Sequence, residues 1–246
     1  MTPTITDDQK HRYEQDGYFL LEGVFTPAEM ERVATLIEGC QRRHEEALAA
    51  QGGTEGISRA GEITFTTRLA ENDPEIAAFV RRPEFVAIAT ELLGPDVDLY
   101  WNQSVFKQPE GEKEFPWHQD DGYTPVTPSP YLTLWLALND ATPENGCISV
   151  LPGSHKGGLV PHTPSPIGLV CHDAADPDQG VLAPAKAGSM IAFQSLTMHK
   201  SGANVSAGPR KAYVIQYCKT GLRHAVTGEL IATGIPLARG GAAAQA

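Results

Sequence analysis

The feature that most constrains the fold is a change of texture at Gly94-Pro95. Beyond it the chain breaks into short segments rich in β-branched and aromatic residues, punctuated by proline and glycine. Candidate strands are Leu99 to Lys107, Tyr131 to Leu138, Cys147 to Leu151, Met190 to Phe193 and Ala212 to Cys218. Between them lie long loops, one carrying Pro125, Pro128 and Pro130 and another running from Pro161 to Pro166. Irregular strands joined by long loops suit an antiparallel double-sheet barrel or jelly roll.

The part before Gly94 reads helical and is expected to pack outside that barrel. Thr6-Asp7-Asp8-Gln9 is a capping box that opens a helix to about Gln15. Tyr18 to Leu21 is a short apolar strand. Thr26-Pro27-Ala28-Glu29 places a hydroxyl cap, a first-turn proline and a Glu at the third helical position. Met30, Val33, Leu36 and Ile37 then follow at helical spacing, so one face is buried, and the helix continues into the polar stretch from Gln41 to Ala50. Asp73-Pro74 and Arg82-Pro83 each start a further helix, the second ending at Gly94. No composition shift divides the 246 residues, so a single domain over 1–246 is expected, with a low-complexity and disordered tail at about 236–246.

Composition excludes several functions. An apolar fraction of 41% without a run of membrane-spanning length predicts no membrane partner. A formal net charge of -11 repels polyanions, so nucleic acid is not expected as a partner either. The four cysteines show no C-x-x-C spacing, which suits a reducing cytoplasm. Oligomeric state leaves no mark in the sequence.

The chemistry concentrates in Phe115-Pro116-Trp117-His118-Gln119-Asp120. In an extended segment residues i and i+2 share a face, so His118 and Asp120 project together. His199 closes a later apolar strand and supplies a second imidazole. Two histidines and one carboxylate on one side of a metal form the facial triad of non-haem iron(II) oxygenases, with open positions for a co-substrate and O₂. A lone His-x-Asp pair equally fits a core histidine followed by a turn aspartate. Arg210 adds to the metal reading. It lies eleven residues after His199, across the turn Ser201-Gly202-Ala203-Asn204, and a hairpin would bring it back beside His199. An arginine grips a carboxylate through two parallel hydrogen bonds, as an anchor for 2-oxoglutarate must.

Taken together these segments resemble the phytanoyl-CoA dioxygenase-like oxygenases. The likeness runs from Tyr13-Glu14-Gln15-Asp16-Gly17-Tyr18 to about Tyr217. Its specific parts are Trp117 to Asp120, the run Glu144-Asn145-Gly146-Cys147-Ile148-Ser149-Val150-Leu151-Pro152-Gly153-Ser154-His155-Lys156, and His199-Lys200-Ser201-Gly202 with Arg210. The middle run carries no obvious ligand and reads as two turns, at Asn145-Gly146 and at Pro152 to His155. The resemblance implies a mainly β fold with flanking helices, a double-stranded β-helix or cupin-like jelly roll. It implies Fe(II), 2-oxoglutarate and O₂ as cofactor and co-substrates, with His118, Asp120 and His199 as metal ligands. Arg210 and Ser201 are implied to hold the distal carboxylate of 2-oxoglutarate, with Trp135 in the same pocket. Gln103, on one strand face with Trp101 and Val105, is a further pocket liner. Several family members place a lysine near the position of Thr66, where this chain has Thr66-Thr67-Arg68.

The expected activity is hydroxylation of a small-molecule metabolite at an unactivated C–H, releasing succinate and CO₂. Desaturation, epimerisation and acyl-CoA hydroxylation use the same ligands and remain open, as does a metal-binding cupin-like protein without oxidative chemistry. Substrate contacts are expected from Arg59 to Arg68, from Gly122 to Pro130 with Tyr123, and from Pro161 to Asp178 with His162 and His172. Around the ligands, Glu110, Glu112, Glu114, Asp120 and Asp121 outnumber Lys107 and Lys113. That balance favours a neutral or cationic, partly apolar substrate over a coenzyme A thioester, unless Arg59, Arg68 and Lys156 converge on a phosphate site.

Overall fold

The two leading helices start as their caps dictate. Thr6 and Thr26 each accept from the backbone three residues on, while Gln9 and Glu29 reach back to the cap, opening α1 (Asp7–Gln15) and α2 (Pro27–Ala50). In this computed structural model, which describes residues 4–109, 113–171, 180–231 and 234–244, three more helices follow. They are α3 (Leu69–Asn72), α4 (Pro74–Phe79) and α5 (Pro83–Leu93).

The strands, in chain order, begin with β1 (Tyr18–Leu21), β2 (Thr54–Glu55), β3 (Ser58–Arg59), β4 (Ile63–Thr67), β5 (Val97–Lys107) and β6 (Phe115–His118). Next come β7 (Val126–Thr127), β8 (Leu132–Ala137), β9 (Ile148–Val150), β10 (His162–Ser165), β11 (Gly168–Cys171) and β12 (Val181–Ala183). The last are β13 (Met190–Gln194), β14 (His199–Ser201), β15 (Arg210–Lys219), β16 (Arg223–His224), β17 (Ile235–Arg239) and β18 (Ala242–Ala243). A large antiparallel sheet runs β1-β13-β8-β15-β5-β4-β3-β2, and a smaller one runs β12-β9-β14-β6. This is the expected jelly-roll architecture, mainly β with the helices outside.

The period of two along a strand sorts side chains between two cores. Leu132, Leu134 and Leu136 of β8 and Tyr213, Ile215 and Tyr217 of β15 pack with Phe85, Ile88 and Val80 from the helical layer. Trp135 and Ala137 with Ala212 and Val214 face the other way, joining Ile148 and Val150 of the small sheet. Each fully buried large side chain contributes about 1.5–3 kcal/mol, so the two cores hold the sheets' mutual placement firmly. Arg210 and Gln216 belong to the even-numbered, inward-facing set of β15.

Two expectations need correction. The tail assigned to disorder is ordered up to 244: β17 pairs with β5, β18 pairs with β17, and Ile235, Leu237 and Ala238 are buried. Apolar residues just ahead of the Gly-Ala run anchor it, and Arg239 adds an ion pair to Asp98 at 2.6 Å. Nor do His199 and Arg210 sit on one hairpin. β14 and β15 belong to different sheets, and the connecting turn crosses between them. Among the described residues no helix is long and apolar enough to cross a membrane, and Cys40, Cys147, Cys171 and Cys218 form no disulfide.

Candidate metal centre

β6 and β14 lie side by side in the small sheet with His118 opposite His199 in register. Their rings stand 4.2 Å apart between centroids. In each, Nδ1 is taken by a backbone carbonyl: His118 by Pro116 O at 2.8 Å and His199 by Thr197 O at 3.0 Å. A carbonyl can only accept, so Nδ1 carries the proton and Nε2 presents its lone pair, the form in which an imidazole binds a metal. Burial holds His118 well below the usual imidazole range, so it is neutral at physiological pH.

Asp120 does not continue the strand. Gln119 is extended, but Asp120 opens a short 3-10 turn to Gly122. The same-face argument therefore holds only through Gln119, and the turn then carries the carboxylate round to the histidines. Its Oδ1 lies 3.8 Å from His118 Nε2 and 3.7 Å from His199 Nε2. Its Oδ2 accepts from Thr133 Oγ1 at 2.7 Å and from Gln216 Nε2 at 2.9 Å. Each of the three groups thus has one polar atom fixed by the protein and one free, and the free atoms all lie within 4.8 Å of one another. Such a donor set fits a divalent metal, with two nitrogens and one oxygen on a single side.

The site divides into two chambers that meet at His118 and Asp120. The inner one is small, about 60 Å³, and is lined by Gln103, Trp135, His199, Ser201 and Arg210. The sequence-predicted residues are therefore brought together. Arg210 is 1% exposed, and none of its three guanidinium nitrogens has a hydrogen-bond partner. It lies 5.3 Å from the ring centroid of Trp135. Burial lowers its pKa to about 10, which leaves it charged at neutral pH. A buried cation without a partner costs several kcal/mol, so this chamber is built for an anion. The outer chamber is about 450 Å³ and is walled by Phe65, Tyr100, Trp101, Phe115, Tyr123 and Tyr131 together with His44, Glu55, residues 56–58 and Gln216. Gln103 lines both chambers, its Oε1 accepting from Trp101 Nε1 at 3.1 Å.

Other expectations fare unevenly. Tyr123 lines the outer chamber, and its hydroxyl accepts from Leu169 N at 3.2 Å. His162 instead receives Gln119 N at 3.0 Å and lines neither chamber. His172, Glu110, Glu112 and residues 173–178 lie outside the described residues. Thr66 donates to Gln41 Oε1 at 2.6 Å and lines neither chamber. Arg59, Arg68 and Lys156 do not converge: Arg59 donates to Pro166 O, Arg68 lies over Trp101, and Lys156 binds Gln15.

The run from 144 to 156 acquires a role that its sequence does not suggest. Its strand β9 pairs with β14, and Ser154 Oγ accepts from Met198 N at 2.9 Å. His155 Nε2 contacts Glu14 O, and Gly153 N donates to Asp16 O at 2.9 Å. The run therefore clamps the strand that carries His199 against the end of α1. Gly146 turns with φ +81°, and a Cβ there would meet Gly202 O at 2.4 Å, so only glycine passes beneath the Ser201-Gly202 turn.

Residues 13–212 match the family model described as phytanoyl-CoA dioxygenase (PhyH). The chain is 30% identical over 225 residues to the probable α-ketoglutarate-dependent hypophosphite dioxygenase of Stutzerimonas stutzeri, covering 85% of this chain and 77% of that one. It is 28% identical over 241 residues to the ectoine dioxygenase of Bordetella parapertussis, covering 87% and 75%. Against human peroxisomal phytanoyl-CoA dioxygenase it is 25% identical over 225 residues, covering 85% and 67%. Among solved structures, EvdO2 from Micromonospora carbonacea, complexed with 2-oxoglutarate, shares the fold with a TM-score of 0.72 at 22% identity, over 93% of this chain and 96% of that one. The non-haem α-ketoglutarate-dependent carbocyclase SnoK of nogalamycin biosynthesis does so with a TM-score of 0.71 at 24% identity, over 89% and 86%.

Proposed function

Because this chain belongs to the phytanoyl-CoA dioxygenase family, we propose that it is an Fe(II)/2-oxoglutarate-dependent dioxygenase that hydroxylates a small molecule, with His118, Asp120 and His199 as the iron ligands. The observation that carries the reading is Arg210, a buried guanidinium with three unpartnered nitrogens in a chamber that opens onto the triad. A dicarboxylate suits that arrangement: one end reaches the metal while the distal carboxylate receives two parallel hydrogen bonds from Arg210.

Iron bound there, with 2-oxoglutarate and O₂, supplies the oxidising power to functionalise an unactivated C–H, with succinate and CO₂ as co-products. The protein's own part is placement. Pro116 O and Thr197 O hold the two imidazoles in the ligating tautomer, and Thr133 and Gln216 aim Asp120. Trp135 stacks beneath Arg210, and Ser201 lines the same wall. Phe115 and Tyr123 meet the His118 ring edge-on at 4.9 and 5.8 Å, shielding that ligand on the substrate side.

A cupin-like metal protein without oxidative chemistry needs the triad but has no use for a buried cation beside it. Calorimetry of 2-oxoglutarate binding to the iron-loaded protein, together with succinate release in air, tests the difference. Binding with a one-to-one stoichiometry and slow release of succinate are expected. Iron binding without either one would sink the dioxygenase reading.

A further inference from the structure

The outer chamber holds a side chain that the metal site does not use. Gln41, His44 and Leu48 fall at i, i+3 and i+7 on α2, so they share one face of the helix. Gln41 fixes that face to the large sheet. Its amide donates to Thr64 Oγ1, and its carbonyl oxygen accepts from Thr66 Oγ1 at 2.6 Å and Ser104 Oγ at 3.0 Å. Leu48, 1% exposed, anchors the next two turns. His44, between them, forms part of the chamber wall. Its Nε2 is shut off from solvent and has no hydrogen-bond partner.

The rest of the wall determines what that nitrogen can meet. No lysine or arginine lines the outer chamber among the described residues, and the carboxylates present are Glu55 and the ligand Asp120. With iron on Asp120 that carboxylate is neutralised, so away from the metal an anion meets Glu55 and no lysine or arginine to offset it. A hydroxyl or ammonium group finds acceptors instead, and the faces of Tyr100 and Trp101 attract both apolar surface and positive charge. The one arginine of the site, Arg210, lies in the inner chamber.

We propose that the outer chamber selects a small molecule bearing a hydroxyl or ammonium group beside an apolar face, and that His44 Nε2 accepts the hydrogen bond from that group, making His44 a specificity-determining residue. The proposal rests on reading the triad as an iron/2-oxoglutarate centre that this chamber serves.

Three probes of one size separate the charge types: 2-phenylethylamine, 2-phenylethanol and phenylacetate. Each is titrated under nitrogen into protein loaded with Fe(II) and 2-oxoglutarate at one fixed pH. Binding is read from tryptophan fluorescence, since Trp101 lines the chamber. The amine and the alcohol are expected to bind at least about tenfold more tightly than the acid. His44→Ala should weaken both by about tenfold, close to 1.4 kcal/mol, without changing 2-oxoglutarate affinity. His44→Gln, which keeps an acceptor near the same reach, should recover part of the loss and guards against a folding artefact. Equal binding of the acid, no binding of any probe, or an unchanged affinity in His44→Ala each overturns the proposal. If 2-oxoglutarate fails to bind the iron form, the co-substrate reading falls, and the ranking of the three probes without it still decides the preference of the chamber.

Discussion

The inner and outer chambers share the edge formed by His118 and Asp120, yet they are made in different ways. The inner one is built from strands in fixed register. Val214 of β15 pairs with Trp135 of β8 on one side and with Gln103 of β5 on the other, so Arg210, Trp135 and Gln103 occupy places that the hydrogen-bond ladder sets. The outer one borrows a wall from α2, tied to the sheet by the Gln41 side chain, and from β2 and β3, which end the large sheet with only two residues each in register. A site that always handles the same co-substrate profits from rigidity, whereas recognition of a particular substrate belongs on elements that can vary without disturbing the sheet. If this division is right, substitutions in the inner chamber should act on metal and 2-oxoglutarate, and those in the outer chamber on the substrate alone.

The largest effect should come where the chambers meet. His118→Ala or His199→Ala removes one of three ligands, and iron affinity and turnover should both be lost. Retention of a visible charge-transfer band on adding Fe(II) and 2-oxoglutarate to both variants would show the ligands to be misassigned. Next comes Arg210→Ala, which removes one partner of a buried ion pair, a change costing on the order of 3–5 kcal/mol. 2-Oxoglutarate should bind at least about a hundredfold more weakly, while iron binding, followed by metal competition, persists. Equal affinity in calorimetry would separate Arg210 from the co-substrate. Smaller again is Thr133→Val, at a residue that lines neither chamber. It deletes one of the two hydrogen bonds that aim Asp120 and should weaken iron about ten- to a hundredfold, leaving the probe affinities of the outer chamber intact. A change in probe binding of the same size would break the division between the chambers.

The same contrast explains what was legible in the sequence. The triad, Arg210, Ser201, Trp135 and Gln103 sit on or beside strands whose alternation reads directly, and the structure gathers all of them around the inner chamber. The path to that result was only partly legible. Asp120 reaches the histidines through a 3-10 turn, and Arg210 arrives from the opposite sheet, because short-range spacing carries no knowledge of which sheet a strand joins. His44 was invisible for a different reason. The inward face of α2 changes from Val33 and Ile37 to Gln41 and His44 where it leaves the core for a polar-edged cavity, so apolar periodicity falls silent just where the chamber begins. Orientation by Thr133 and Gln216 left no signal either, since both look like ordinary strand residues until register places them side by side. The order of the tail leaves no signal in its Gly-Ala run, because the strand just ahead of it, with Ile235 and Leu237 buried, is what holds it.

The smallest expected effect tests the outer wall at its hinge. Arg59 donates from Nη1 to Gly56 O and Ser58 O, both at 2.8 Å, and from Nη2 to Pro166 O. It thereby ties the β2–β3 turn, whose residues 56–58 line the outer chamber, to the loop between β10 and β11. These bonds lie at the surface, where water replaces a lost partner, so their loss should cost no more than about 1 kcal/mol. Arg59→Ala should then raise the dissociation constant of 2-phenylethylamine only about two- to fivefold. Amide exchange over residues 54–59 should quicken, because a hairpin this short has little else to hold it closed. Iron and 2-oxoglutarate affinity should not move. Were 2-oxoglutarate to weaken in step with the probe, the wall and the sheet would be one mechanical unit, and the separation of a fixed inner chamber from an adaptable outer one would fail at the point where it is most exposed.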